Sequence, residues 1–266
     1  MIKKVIILFI ACAIISCKKD QDTTPLNIQG AIKTERLLKD FTCNSATYLF
    51  QSPLYKGEPK VQERLNKDIK NLISQDLSDA SYDKDASLKE IWDLFIAERK
   101  RNICDGDTSG LNHIQIEHLS QNDAFISYEI TYNRNGVHQR LHKTYIKPDL
   151  TELKITDLAK SNKIDDVRRI YDINLQQSVA NLALEIKPEN YDGFKNFVEN
   201  KVFAFSKEEF ENASLGINII SADSVMLQVS KKINLPSTYS FLNEDVKIAI
   251  RAQEMDYYLD IAPLKI

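Results

Sequence analysis

Four histidines, a scatter of serines and several carboxylate pairs make up most of the chemistry this chain could offer. His138 and His142 lie four apart on a predicted strand, a spacing that lets both imidazoles face one side. With His113 or His118 from the preceding strand they would make the core of a zinc site. The supporting pattern is missing: there is no His-x-His pair, no helix with two histidines one turn apart and no clustered carboxylate. His113 and His118, five apart, also point to opposite faces. No metal or other cofactor is expected. Ser127, His138 and Asp157 supply the residue types of a hydrolase triad, but no Gly-x-Ser-x-Gly elbow accompanies them. Glu208-Glu209 and Asp165-Asp166 are paired carboxylates at predicted helix starts, where the helix dipole accounts for them better than glycosidase chemistry does. No catalytic residue is assigned.

These residues hang on a legible order of elements. Ile28 to Phe50 is mixed and strand-like, most strongly over Ala46–Phe50. Pro59 opens a helix carrying Val61, Leu65, Ile69, Leu72 and Ile73 at helical spacing, and Leu88, Ile91, Trp92, Phe95 and Ile96 draw a second. The period then changes to two. Ile114 and Ile116 share a strand face; Ala124, Ile126, Tyr128, Ile130 and Tyr132 alternate along the next strand; Asn135-Gly136 is a hairpin signal; Val137 to Ile146 returns. Ile164 to Ile186 forms a long apolar stripe ending before Pro188, and Tyr191 to Val198 another helix. Three strands follow around Ile217–Ile220, Val225–Val229 and Val246–Ile250, with a closing helical turn at Met255–Leu259. The order predicts an α+β fold of antiparallel sheets with segregated helices, in two intimately packed subdomains, 28–109 and 110–266.

Composition narrows the function classes. The formal net charge of −3 falls to −5 once residues 1–16, which hold Lys3 and Lys4 and no acid, are set aside. That balance argues against a nucleic-acid partner, whose phosphates call for clustered Lys and Arg. Only seven glycines occur in 266 residues, and none forms a phosphate-cradling loop. Tyrosine is plentiful. Tyr128, Tyr132 and Tyr145, with Gly136 and His138 at the hairpin, are the candidate binding residues. A sheet core with hydroxyls reaching solvent is the alternative reading of the tyrosines.

The N-terminus carries an address. Lys3-Lys4 precedes an apolar run of about eleven residues, too short for a bilayer span of roughly 20 but matched to a secretory signal. Ile14-Ile15-Ser16-Cys17 resembles the lipobox of bacterial lipoproteins, which implies cleavage after residue 16 and lipidation of Cys17. Lys18 to Asp22 resembles the Lys/Asp-rich signal that sends lipoproteins of Bacteroidota-type bacteria to the outer leaflet of the outer membrane. Residues 17–27 are expected to be a disordered tether, and the protein to sit on the outer membrane, at the cell surface or on its periplasmic side. Cys43 and Cys104 are then an even pair in an exported chain, read as a disulfide, with two separate buried thiols as the alternative.

Three segments carry a further resemblance: Tyr55 to Ile73 with Leu65-Asn66-Lys67-Asp68-Ile69; Ile126 to Tyr132 running through Gly136-Val137-His138 to Leu150 and the connector Leu153–Leu158; and Val246–Ile250 followed by Tyr258-Leu259. This pattern is similar to the extracellular domain family shared by the peptidoglycan deacetylase PdaC and the anti-sigma factor RsiV. Asn135-Gly136 stands where that family has two glycines, and Val137 where it has alanine. The end of the chain at Ile266 is expected to leave no room for a deacetylase domain. The resemblance implies a non-catalytic binding module for a lysozyme-like protein or a cell-wall glycan such as a peptidoglycan fragment. A mildly acidic chain suits a basic lysozyme by electrostatic steering. An envelope glycan hydrolase or deacetylase, and a structural subunit of an outer-membrane assembly, are the alternatives.

Overall fold

The computed structural model describes residues 33–265 except 58, 78–81, 84, 148, 187 and 222–223. The signal segment, Cys17 and the tether lie outside the described residues. In chain order the elements are β1 (Lys33–Cys43), β2 (Ala46–Lys56), α1 (Pro59–Ser74), α2 (Leu88–Cys104), β3 (Leu111–Gln121), β4 (Phe125–Arg134), β5 (Val137–Ile146), β6 (Thr151–Glu152), α3 (Ile155–Leu158), α4 (Ile164–Asn181), α5 (Pro188–Glu199), α6 (Lys207–Glu211), β7 (Gly216–Ser221), β8 (Ser224–Lys232) and β9 (Asp245–Arg251). Short 3₁₀ turns follow α4 and β9. The fold is α+β.

β1 to β6 form one sheet in sequence order, and β7 to β9 a second. The larger sheet is mixed and not antiparallel throughout, because β2 and β3 run parallel. Two helices intervene between them, and a parallel pair needs such a crossover. Their pairing is short, only Phe50↔Ile114 and Gln51↔Gln115. The boundary expected at 109/110 runs through this sheet. Two hydrophobic cores form instead on opposite sides of it, because one face of the sheet packs on helices and the other on a second sheet.

Local sequence explains the framework. Asn44-Ser45 and Asn135-Gly136 both take left-handed backbone, giving the two-residue turns that suit hairpin twist. Ser87 and Glu90 form a capping box that starts α2. Leu65, Ile69, Leu72 and Ile73 of α1 and Leu88, Ile91, Trp92 and Phe95 of α2 bury against Phe50, Ile114, Ile116 and Ile130 of the sheet. On the far side, Val167, Tyr171, Leu175 and Val179 recur every fourth residue along α4 and pack on Leu227, Val229, Ile248 and Ile250. The molecule is thus layered as α1 and α2, the large sheet, the small sheet, then α4 with α5. Among the described residues no helix is long and apolar enough to cross a membrane.

Candidate functional site

The Asn135-Gly136 turn fixes the register of β4 and β5, so Glu129 lies opposite His142, Ser127 opposite Thr144 and Asn133 opposite His138. Side chains directly opposite share a face. Tyr128, Ile130 and Tyr132 therefore turn to the helices, while Ser127, Glu129, Thr131 and Asn133 turn the other way.

The tyrosines expected to bind a partner are core residues. Tyr128 and Tyr145 are fully buried and Tyr132 nearly so. The Tyr128 hydroxyl donates to Asp68 of α1 at 2.9 Å, the Tyr145 hydroxyl to the same carboxylate, and the Arg64 guanidinium lies over the Tyr145 ring. Burial pushes the Tyr55 and Tyr128 phenols up, with the Asp68 charge adding to it. These rings hold α1 to the sheet and cannot reach a ligand. Asp68→Ala would leave two buried hydroxyls without their charged acceptor, and a loss of about 3 kcal/mol in unfolding free energy by urea titration is expected.

Behind the other face lies a polar layer between the two sheets. His142, 1 % exposed, donates from Nε2 to Glu129 at 2.8 Å, and Lys247 and Arg140 approach the same carboxylate at 3.2 and 3.5 Å. The Ser230 hydroxyl lies 3.2 Å from His142 Nδ1. Ser127 and Thr144 share a hydrogen bond of 2.8 Å; Ser127 accepts from the Ile217 amide and Thr144 donates to the Leu215 carbonyl. Burial holds the His142 pKa below its usual value, so the ring is neutral at pH 7: a donor to Glu129 and an acceptor for Ser230. Burial alone would raise Glu129, but His142, Lys247 and Arg140 outweigh it and bring the carboxyl down to about 2.

Ser230, His142 and Glu129 thus form a Ser-His-acid relay that sequence reading overlooked. Half of it was available, since the turn register places Glu129 opposite His142; Ser230 comes from a distant strand with no local signal. The relay has no room to act. A Cβ built on Gly216 would meet His142 Cδ2 at 2.5 Å, so the β7 backbone is closed directly over the imidazole. Gly216→Ala is expected to cost about 2 kcal/mol, read as a lower urea midpoint, because the ring cannot retreat from a packed layer. The triad assembled from the sequence does not form: Ser127 is buried in the layer, His138 is exposed beside Asn133, and Asp157 accepts from the Lys154 amide at the start of α3. Among the described residues no group of three or more His, Cys, Asp or Glu is placed to hold a metal ion.

What remains open is the rest of that face. Leu38, Gln51, Gln115 and Thr131 form one row across β1 to β4, and His113, Asn133 and His138 part of the next. Four strands at about 4.8 Å spacing make a platform about 14 Å across. Burial lowers the His113 pKa, with His138 nearby, so the ring presents itself as a neutral donor and acceptor. Because β2 and β3 pair so briefly, they splay and open a cleft of about 390 Å³ lined by Arg36, Gln51, Pro53, Glu117 and His118, in which Arg36 donates to Gln51. Gly136, in the left-handed region at the turn, and His138 are the two expected binding residues that reach the rim of this face. A second groove, about 740 Å³, lies on the helical side between α1 and the start of α2, lined by Asn66, Lys67, Asn71, Tyr82, Ser87 and Lys89.

No family model matches the chain, and no curated protein matches it. Among solved structures it is similar to the crystal structure of a DUF3298 family protein from Pseudomonas aeruginosa PAO1, with a TM-score of 0.48 and 13% identity over 88% of this chain and 96% of that one.

Proposed function

We propose that this chain is a lipoprotein anchored through Cys17 to the outer membrane, and that it binds a lysozyme-like protein or a cell-wall glycan without acting on it chemically. The observation that carries the binding reading is the half-covered sheet. Helices cover one face, while the small sheet covers only part of the other, packing on β3, β4 and β5. Amides, imidazoles and a hydroxyl are left in rows beside a cleft. Such groups offer paired donors and acceptors, which suits sugar hydroxyls or the polar part of a protein epitope. The non-catalytic reading draws support from the closed Ser230–His142–Glu129 relay.

Residues 24–266 retain every described element and are the material for the test. Calorimetric titration with a lysozyme and, separately, with soluble peptidoglycan fragments is expected to give saturable heat with one of them. No heat from either at high micromolar concentration would remove both ligands. Turnover of the fragments would remove the non-catalytic reading. Lipidation is tested separately by palmitate labelling in cells, with loss of label expected in Cys17→Ser.

A further inference from the structure

β1 is the outer strand of the large sheet and carries the charge common on edges, at Glu35, Arg36, Lys39 and Asp40, but nothing in its backbone interrupts it. It is eleven residues long, contains no proline, and pairs with β2 without a bulge from Lys33↔Lys56 to Cys43↔Ala46. An unbroken edge of this length is a template for another strand. Its side chains are moreover arranged about a centre. Leu38 is 45 % exposed on the open face, with Arg36 and Asp40 two residues to either side on the same face. Asp40 has no hydrogen-bond or ionic partner among the described residues.

We propose that the chain self-associates as a twofold dimer through antiparallel pairing of β1 with β1 of a second copy, centred on Leu38. That register sets Leu38 against Leu38, Arg36 against Asp40 on both sides, and Thr34 against Thr42. The neighbouring registers do worse. Centring on Lys39 opposes two ammoniums, and centring on Leu37 sets Glu35 against Lys39 although Glu35 already pairs with Lys56. A second exposed leucine sits beside the same edge. α2 runs along β1, with Lys89 near Glu35 at one end and Cys104 bonded to Cys43 at the other. Leu94 of α2, 48 % exposed, falls near the level of Leu38 on the helical side. A twofold axis normal to the sheet joins the two six-stranded sheets with both open faces on one side. The pairing does not depend on what those faces bind.

Sedimentation equilibrium of residues 24–266 over micromolar to submillimolar concentration tests this. A mass rising from one chain toward two is expected. Asp40→Arg or Arg36→Asp alone should weaken association roughly tenfold, by placing like charges opposite each other at two points. The combined exchange of both residues should restore it. Leu38→Cys should cross-link spontaneously under oxidising conditions, because directly opposed strand positions lie within disulfide reach, whereas Thr34→Cys should not. A single-chain mass throughout, a dimer indifferent to Asp40→Arg, or a double exchange no better than the single changes would each overturn the proposal. Unchanged circular dichroism shows that the variants are folded.

Discussion

Glu129→Ala is expected to lower the unfolding free energy at pH 7 by about 3 kcal/mol, the scale set by breaking a buried charge network from one side. Glu129 is 7 % exposed, accepts from His142 and Lys247 and pairs ionically with Arg140, groups that come from two strands of different sheets. Its removal leaves two cations facing a neutral, buried imidazole across the junction of the sheets. Lys247 and Arg140 keep some solvent access, which is why the larger penalties of fully enclosed pairs are not expected. The same network fixes an acid response. Glu129 has a depressed pKa, so its contribution is complete above the unfolded carboxylate value and is lost as pH falls toward about 2. The His142 pKa is depressed too, so the unfolded chain takes up a proton first, and stability falls as pH drops below the usual histidine value. Urea midpoints between pH 7 and 3 should therefore decline in two stages. His142→Gln should shrink the upper stage, to which His113 and His118 also contribute because burial lowers their pKa values too, and leave the lower. A midpoint flat from pH 7 to 5 in the wild type would contradict this reading of His142.

Reduction of the Cys43–Cys104 disulfide is expected to have a comparable or larger effect. The bond joins the β1–β2 hairpin end to the last residue of α2 across 61 positions, with Cα atoms 5.3 Å apart. Closing a loop of that size stabilises by about 4 kcal/mol in the chain-entropy model. Urea unfolding with and without a phosphine reductant, and of the Cys43→Ser/Cys104→Ser pair, should show that loss together with loosened hydrogen-exchange protection in β1. Equal midpoints would mean that packing of Phe41 and Leu37 under α2 already fixes the hairpin.

Much of this architecture can be read from residue spacing, and the failures have physical causes. The helices stand out because Leu65, Ile69 and Leu72, or Val167, Tyr171, Leu175 and Val179, repeat at a period that no strand shares. The β4–β5 hairpin stands out because Asn135-Gly136 tolerates left-handed backbone. β1 is faint, since an edge strand buries only Leu37 and Phe41 and shows charge elsewhere. The parallel pairing of β2 with β3 is decided by the packing of two helices and leaves no mark in either strand. The tyrosines misled for a different reason. Their alternation marked a strand face correctly, but residue type alone does not say which face is covered, and Asp68, sixty residues before Tyr128, is what draws their hydroxyls inward. The open face was legible only as its polar counterpart, the residues between the tyrosines.

Blocking each surface in turn tests most directly whether the open sheet face is where this protein binds. Gln115→Trp fills the centre of that face, and Asn71→Trp fills the groove beside α1; both positions are solvent-accessible, so both variants should fold. With whichever of the lysozyme or the peptidoglycan fragment gives heat with the wild type, Gln115→Trp is expected to reduce affinity at least tenfold and Asn71→Trp to leave it unchanged. Full binding by Gln115→Trp together with loss in Asn71→Trp would place the site on the helical side and contradict the account.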